Sequence, residues 1–270
     1  MPLTQAEQYL IELINRARLD PLAEAERYGL DDLNRGAGAT ITAEAKQALA
    51  PNAALRLAAT DHSQWMLDTD TFSHTGAGGS TPLTRAVDAG YVLSGASVVG
   101  ENISWSGTTG TLNLEAVIGG QHEGLFLSDG HRRNILNDTF REIGVAQVAG
   151  AFTHTNGITY NASMVTEKFA MTGTDRFLTG VAFQDSNDNR FFDIGEGRSG
   201  VSFAILGASV VTAAAGGYAL AHGTDSARQD VRKARSALAV HGLEGPDFDR
   251  FPADLRIFDK RVRKLSGAMP

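Results

Sequence analysis

The sequence predicts an α+β fold in which helices flank a small sheet, followed by a small β-sandwich-like module. Apolar residues recur at helical spacing through much of the first half of the chain, and they alternate as in strands between residues 143 and 169. After residues 172–174, short β-like runs lie between glycines, which is typical of a separate all-β unit. We therefore predict a first domain at 1–171, a module at 172–224 and an extension of unassigned fold at 225–270.

Capping signals and apolar spacing predict three helices near the start of the chain. Thr4 and Glu7 form a capping box that begins a helix, and the apolar face of this helix continues until an Asp-Pro pair at 20–21 ends it. Residues 51–70 repeat the helical spacing. A Thr-Pro pair opens the segment 81–89 and predicts an N-cap followed by the first turn of a short helix.

The rest of the first domain is predicted to contain two further helices and then two strands. Residues 114–126 are predicted to be helical, and Ser128 is a candidate N-cap for another short helix. Residues 143–148 and 158–169 are predicted strands. The module is predicted to contain short β-like runs at 177–183, 201–206 and 208–218.

Composition and charge exclude several classes of function. The chain has 270 residues, a net charge of −7 and no cysteine, so it has neither a disulfide framework nor a thiolate nucleophile, and its charge argues against general nucleic-acid binding. No run of about 18 apolar residues exists, so no membrane span is predicted. The charge is uneven, with a net −10 over residues 1–222 and a net +3 over residues 223–270. The basic last segment is either a helical extension or the product of an altered reading frame.

The N-terminal residues bear on where the protein acts. The segment Met-Pro-Leu-Thr-Gln-Ala-Glu has no basic n-region and no apolar h-region, so we do not expect it to be a Sec signal peptide. Two locations stay open, the cytoplasm and the outside of the cell by a signal-peptide-independent route.

Four residues in short, distinctive contexts form the candidate functional group. The contexts are Phe-Ser-His-Thr-Gly, Gly-Glu-Asn-Ile, His-Glu and Gly-His-Arg-Arg-Asn-Ile-Leu, and the residues are His74, Glu101, Glu123 and His131. Two imidazoles and two carboxylates in one cleft can bind a divalent metal or exchange protons. Spacing alone does not show that they meet, because only folding brings such distant residues together.

In their order and spacing, these motifs resemble the CAP superfamily of cysteine-rich secretory, antigen 5 and pathogenesis-related proteins (SCP-like domains), in its cysteine-free bacterial branch. The resemblance runs from about residue 4 to 171 and includes Leu-Ile-Asn-Arg-Ala-Arg at 13–18 and Ile-Gly-Val at 143–145. It implies a three-layer α-β-α sandwich with the four residues in one cleft. Because the family is largely secreted, the resemblance also favours export.

Each cleft candidate also has a structural interpretation. His74 fits a surface loop, and Glu101 fits a turn carboxylate that accepts backbone N–H bonds. Glu123 fits a solvated helix residue, and its neighbour His122 is an alternative residue for the cleft. His131 lies near the start of a predicted helix, where the positive end of the macrodipole lowers its pKa and favours the neutral imidazole that a metal requires.

Structural roles are predicted for several neighbouring residues. His62 competes with His74 for the cleft, but its position in an apolar helical pattern predicts a buried, hydrogen-bonded residue. Asn102 is expected to bridge backbone groups. At least one of Arg132 and Arg133 is expected to form an ion pair.

A second motif, in the predicted module, has the spacing of an EF-hand calcium loop. Its candidate ligands are Asp185, Asn187, Asn189, the carbonyl of Phe191, Asp193 and Glu196. Arg190 stands where a glycine normally permits the sharp turn, and the flanks are predicted strands. With the Gly-Val-Ser-Phe that follows, the loop resembles those of B-type repeats and carboxypeptidase-regulatory-like modules. The structural alternative is a polar turn in a hairpin.

Three functions are compatible with these features. The first is a secreted protein that binds a small-molecule, lipid or protein ligand through its cleft, with Zn²⁺ or another divalent metal as a candidate there and Ca²⁺ stabilising the module. The second is a metal-dependent hydrolase with a glutamate as general base. The chain has neither an HExxH helix nor a Gly-x-Ser-x-Gly elbow, which favours binding. The third, an intracellular interaction protein, rests only on the missing signal peptide.

Overall fold

A four-stranded sheet forms the centre of the first domain. The computed structural model describes residues 2–36, 38, 40–205 and 208–222, so the predicted extension at 225–270 lies outside the described residues. The strands of this sheet are β1 (Ala50–Pro51), β2 (Ser97–Thr108), β3 (Glu142–Thr153) and β4 (Thr159–Thr172). They lie in the order β1-β3-β4-β2, with β1 parallel to β3 and the other pairs antiparallel.

Helices cover both faces of the sheet. Those of the described chain are α1 (Gln5–Leu19), α2 (Pro21–Arg27), α3 (Ala53–Asp68), α4 (Pro82–Asp88), α5 (Leu114–Leu127) and α6 (Asp129–Ile135). One face is covered by α3 and α4, and the other by α1, α5 and α6. This is the three-layer α-β-α sandwich that the sequence predicts. None of the helices in the described part has the length and apolarity needed to cross a membrane.

Successive apolar side chains of β4 point to opposite faces of the sheet and contribute to the hydrophobic core on each face. Val165 and Phe169 are fully buried against α1, α5 and α6, whereas Met164 and Ala170 are buried towards α3 and α4. Complete burial of one large apolar side chain stabilises the fold by about 1.5–3 kcal/mol. A strand that is apolar towards both faces therefore holds the three layers together.

The helix α1 begins and ends where the sequence predicts. Thr4 and Glu7 form the expected capping box, and Glu7 also pairs with Arg56 of α3 at 2.8 Å. The Asp-Pro pair ends α1 but immediately begins α2, a helix that the sequence analysis did not predict. Asp20 caps α2 by accepting a hydrogen bond from Ala23 N, and proline occupies the first turn, where its missing N–H costs nothing.

Two features of the first domain differ from expectation, one in the sheet and one in α6. β2 was not predicted as a strand, and Glu101 lies within it, not in a turn.

Arg132 of α6 is fully buried without an ion pair in the described structure, because its guanidinium donates to four backbone carbonyls. We expected an ion pair at one or both of Arg132 and Arg133, and neither forms one with a described residue. Arg132 instead fixes α6 to the loop around Leu33.

The module contains two small antiparallel sheets. Its strands are β5 (Arg176–Val181), β6 (Ser202–Ile205), β7 (Ala208–Val211) and β8 (Gly217–His222), paired as β5-β8 and β6-β7. The predicted run at 208–218 comprises β7, a turn and the start of β8, and the turn uses a left-handed φ of +86° at Gly216. The domain limits at 171 and 224 stay predictions.

The module docks on α1 through residues of the candidate calcium loop itself. The ring of Phe191 lies edge-on to Tyr9 with centroids 6.0 Å apart, and the Arg16 guanidinium lies 4.9 Å from the centroid of the same ring. Gln5 accepts a hydrogen bond from Gly195 N at 2.6 Å. The loop and the first domain are therefore in direct contact.

Candidate functional site

Glu101 is the buried centre of the candidate cleft. Its side chain is 1% exposed, and its carboxylate contacts His74 Nδ1 at 2.8 Å, Arg85 Nη2 at 2.8 Å and Lys168 Nζ at 2.6 Å. Burial raises the pKa of Glu101, but the hydrogen bond from His74 and the charges of Lys168 and Arg85 outweigh it and lower the pKa to about 2. The carboxylate is therefore ionised at neutral pH.

His74 is the exposed partner of Glu101. It lies in the loop between α3 and α4, and 51% of its side chain is exposed. Because an ionised carboxylate can only accept a hydrogen bond, the proton in this contact belongs to Nδ1 of His74. Its Nε2 makes no hydrogen bond to another described residue and is available to a ligand.

Two cations that the sequence analysis did not identify hold Glu101 in place. Lys168 lies opposite Glu101 on β4, and burial lowers its pKa to about 8 although the carboxylate opposes this. Arg85 of α4 also donates to the backbone oxygens of Ser80 and His74, at 2.8 and 2.9 Å. It therefore fixes the loop that carries His74. With two cations for one carboxylate, the cluster has an excess of positive charge.

His131 lies on α6, where its Nδ1 is 2.8 Å from Ser128 Oγ. Ser128 is the N-cap residue, as predicted, but its hydroxyl contacts His131 and not a backbone N–H group. Burial, followed by the charge of His74, lowers the pKa of His131. The direction matches the prediction, although burial and His74 cause it, not the helix end.

Glu123 is exposed on α5 and forms no hydrogen bond or ion pair with His74, Glu101 or His131 in the described structure. Its neighbour His122 is fully buried, with Nε2 at 2.9 Å from Glu24 Oε1. His122 therefore points into the core and not into the cleft.

The described residues contain no group of three or more His, Cys, Asp or Glu side chains arranged to hold a metal ion. The carboxylate of Glu101 is committed to Arg85 and Lys168, which disfavours a dication beside it. The imidazole of His74 nevertheless has the carboxylate-bonded arrangement that orients metal-binding histidines. Within the described residues, the four predicted side chains therefore do not form a group arranged to hold a metal ion.

A cavity of about 290 Å³ lies between α3 and α4 and is lined by His62, Trp65 and Arg85, among others. It adjoins the cluster around Glu101, because His62 Nε2 is 3.9 Å from Glu101 Oε1. The His62 ring stacks on Trp65 with centroids 5.6 Å apart. The cavity therefore has an aromatic wall and a polar floor.

The polar floor of this cavity is incompletely hydrogen-bonded. His62 is buried as predicted, but neither of its ring nitrogens makes a hydrogen bond of ordinary geometry. The backbone of Ser73 favours the charged imidazole, but this is the smallest contribution to the pKa of His62. Burial lowers the pKa of His62 to about 4, so the imidazole is neutral. Arg85 Nε also lacks a partner in the described structure. All three nitrogens are buried from solvent as well as unpartnered among the described residues.

Asn102 connects β2 to α6 behind the cleft. Its amide donates to Glu167 Oε2 at 2.9 Å and to the His131 carbonyl at 3.3 Å, and its oxygen accepts from Asn134 at 2.8 Å. Its structural role is as predicted, although its partners include side chains. Burial raises the pKa of Glu167 to about 7, against the hydrogen bond from Asn102. No sequence motif singled out Glu167.

The candidate calcium loop is closed by hydrogen bonds to its own ligand-position oxygens. Asp185 accepts from the N–H groups of Asn189 and Arg190 at 3.1 and 2.9 Å, and Asp193 accepts from the Asn189 amide at 2.6 Å. Arg190 adopts a φ of +63°, the left-handed conformation for which a glycine was expected. Glu196 accepts from Ser186 N at 2.7 Å. The carboxylates of Asp185, Asp193 and Glu196 are thus engaged by N–H groups, and within the described residues they do not form a group arranged to hold a metal ion.

Comparisons with known proteins identify relatives of the first domain. Similar solved structures include an extracellular protein containing an SCP domain from Bacillus anthracis str. Ames (23% identity, TM-score 0.33, 46% of this chain and 34% of that chain). Others are an outer surface protein from Borrelia burgdorferi (15%, 0.34, 57% and 92%) and NaASP2 with Zn²⁺ (14%, 0.37, 62% and 80%). The chain thus spans about a third of the Bacillus protein's length.

No curated protein matches the chain. The family model of the cysteine-rich secretory protein family, CAP, matches residues 11–155, which is more than half of the sequence. This range contains all four cleft candidates. The chain belongs to the cysteine-rich secretory protein (CAP) family.

Proposed function

We propose that this protein acts outside the cell as a binding protein whose ligand site is the cleft of His74, Glu101 and His131 with the adjoining cavity. The observation that carries the proposal is the cavity of about 290 Å³ beside the cluster around Glu101, which His62, Trp65 and Arg85 help to line. A concave site with an aromatic wall and few fixed polar groups is typical of ligand sites. The ligand is a small molecule, a lipid or a segment of a protein.

The electrostatics of the cleft favour binding over hydrolysis. A general base works best when its pKa lies near the working pH, whereas the pKa of Glu101 is held at about 2. Two hydrogen-bonded cations also occupy its oxygens. The second predicted carboxylate, Glu123, is exposed and lies apart from them. The hydrolase alternative therefore lacks a suitable base among these two glutamates.

The test of this choice is turnover by the wild-type protein. Purified protein is incubated with 4-nitrophenyl esters and with a fluorescently labelled casein, beside His74→Ala. A binding protein gives the same background in both. Hydrolysis by the wild type that disappears in His74→Ala would establish the hydrolase function and refute the proposal.

A divalent metal in the cleft, with Zn²⁺ as the first candidate, would be held by His74 and His131. Glu101 then orients His74 from behind and is not itself a ligand. A bound zinc ion would supply a Lewis acid for a ligand's oxygen or nitrogen. Calorimetric titration with Zn²⁺ should show saturable binding that His74→Ala abolishes. His154→Ala, which removes a histidine outside the cleft, should leave it unchanged; equal binding by all three proteins would exclude the site.

For the module, we propose that Ca²⁺ binds the loop from Asp185 to Glu196 and stabilises it. The sequence spacing of the loop supports this proposal, and two ligand-position carboxylates, Asp185 and Asp193, accept hydrogen bonds from within the loop. A calcium ion would replace these contacts with coordination by hard oxygens. Calcium titration should show binding that Asp185→Asn weakens strongly. Asp188→Asn removes the same charge at a position that is not a ligand and should retain binding.

A further inference from the structure

A second cavity, of about 620 Å³, lies where the first domain meets the module. Its lining includes Gln47, Asp138 and Arg141 from the first domain and Asp175 and Arg176 from the segment that begins the module. It is separate from the cleft, because none of its lining residues belongs to the cluster around Glu101. Ligand sites occur preferentially at such domain boundaries.

Positive side chains gather at this cavity without carboxylate partners. Arg141 and Arg176 line it, and Arg18 and Lys46 lie next to it, close enough to interact electrostatically with Arg141 or with one another. None of these four forms an ion pair with any residue in the described ranges. Three acidic residues partly offset them, since Asp138 and Asp175 line the cavity and Glu44 lies near Lys46.

The hydrogen bonds of these cations go to neutral acceptors. Arg18 donates to backbone carbonyls such as those of Gln47 and Ile135, at 2.8 and 2.7 Å. Arg141 donates through Nη1 to the Phe140 carbonyl at 2.8 Å, and Arg176 donates through Nη1 to Gln47 Oε1 at 3.0 Å. Neutral acceptors orient a guanidinium but do not cancel its charge.

The like charges repel one another across the cavity wall. Burial lowers the pKa of Arg141, and the charge of Arg176 lowers it further. Burial also lowers the pKa of Arg18 to about 9, and Arg141 adds to this effect. An anion placed between these groups relieves the repulsion.

We propose that this cavity binds a small molecule bearing a phosphate or sulfate group, which Arg141 and Arg176 hold through charge-assisted hydrogen bonds. The planar guanidinium matches the spacing of two oxygens on such a group. The volume of about 620 Å³ accommodates an organic part attached to the anion. Since Arg141 precedes β3 and Arg176 begins β5, the ligand bridges the first domain and the module.

The experiment is calorimetric titration of the full chain with sodium sulfate and, separately, with glucose 6-phosphate, at constant ionic strength maintained with sodium chloride. Arg176→Gln is the main variant, because its exposed side chain can be changed without disturbing the core. We expect it to weaken binding by about tenfold or more. Arg198→Gln removes the same charge from an exposed site elsewhere in the module and should leave the affinity unchanged.

Asp138→Asn gives a change in the opposite direction. Removing its negative charge from the cavity should tighten binding of both probes, and its fold is verified by circular dichroism. Binding of either probe that is lost in Arg176→Gln, kept in Arg198→Gln and tightened in Asp138→Asn supports the site. No saturable binding of either probe, or equal weakening in Arg176→Gln and Arg198→Gln, overturns the proposal.

Discussion

Glu101 keeps its charge inside the protein because Arg85 and Lys168 surround it with two positive charges. A carboxylate buried without a partner takes up a proton or destabilises the fold. The cluster is unequal, however, with two cations for one anion. The carboxylate is therefore the member that the other two depend on most.

Replacing Glu101 with glutamine should destabilise the protein by about 3–5 kcal/mol, because it leaves Arg85 and Lys168 buried without a counter-charge. Lys168→Met should cost less, since Arg85 still balances Glu101. The double variant Glu101→Gln/Lys168→Met should regain part of the loss. Free energies of unfolding from urea denaturation test this order, and a larger cost for Lys168→Met than for Glu101→Gln would contradict it.

Glu167 should make the stability depend on pH in the opposite sense from a salt-bridged acid. Burial raises its pKa from 4.5 to about 7, so the folded protein retains a proton that the unfolded chain has lost between these values. Stability should therefore fall as the pH rises from about 4.5 to 7 and lose about 3 kcal/mol from this group.

Glu167→Gln should remove this contribution and make the protein more stable than the wild type at pH 8. Urea denaturation at several pH values between 4.5 and 8 measures the difference between the two proteins. A constant difference across this range would show that Glu167 does not titrate in the predicted window.

At the level of residues, the sequence identified the groups that belong to motifs and missed those that do not. His74, Glu101 and His131 were proposed from their contexts; the structure shows a direct contact between His74 and Glu101, and the role of the three residues in one site stays a prediction. Lys168 reaches Glu101 only through the register of β2 with β4, which a single sequence does not reveal. Glu123 was also predicted from its position in a motif, but it is exposed, whereas the adjacent His122 is buried. Adjacent positions on a helix point about 100° apart, so an error of one residue changes the side chain's surroundings.

Among the secondary-structure elements, α3 crosses the sheet closest at Gly144. A Cβ atom there would lie 2.1 Å from Arg56 N and from the Leu55 carbonyl carbon, far inside contact distance. Gly144→Ala should therefore push α3 away from β3 and destabilise the protein by about 1–3 kcal/mol. Thermal melting followed by far-UV circular dichroism measures the loss.

Gly120→Ala is the matched control for Gly144→Ala. Gly120 is exposed in α5, and a Cβ atom there would meet nothing within 4 Å. Because alanine favours the helix by about 1 kcal/mol over glycine, this variant should be more stable than the wild type. Equal effects of the two substitutions would mean that close packing at Gly144 is not what requires a glycine.

Helices were predicted more completely than strands. The long helices have caps and apolar faces that local sequence specifies, as in the capping box of Thr4 and Glu7. β2 was missed because its central Gly-Glu-Asn-Ile looks like a turn, although Val99, Ile103 and Trp105 share the alternating face of Glu101. The buried carboxylate of Glu101 depends on partners from β4 and α4, and the local sequence of β2 does not encode such partners.

For the whole molecule, the sequence predicted two units but not how they join. The family match covers residues 11–155, so membership of the cysteine-free bacterial branch and the B-repeat character of the module stay predictions. Nothing in the sequence marks Phe191 as a docking residue. Its position in the loop assigns a role to its backbone carbonyl and gives no separate signal for its ring. The contacts of the Phe191 ring with Tyr9 and Arg16 in the structure show this docking.

If Ca²⁺ binds the loop as proposed, Phe191 would connect it to the first domain. Its carbonyl occupies a ligand position of the loop, and its ring packs on α1. If Ca²⁺ stabilises the loop, the stabilisation should pass through this ring, because a ligand that binds only the folded state stabilises every element coupled to it.

Tryptophan fluorescence separates the two units, because both tryptophans, Trp65 and Trp105, lie in the first domain. Calcium should raise the melting temperature seen by this signal in the wild type. In Phe191→Ala the calorimetric affinity for Ca²⁺ should persist, since the ligand is a backbone carbonyl, but the fluorescence transition should no longer respond to Ca²⁺. Asp185→Asn should lose both effects. Calcium binding to the wild type without any shift in the fluorescence transition would mean that the module and the first domain unfold independently.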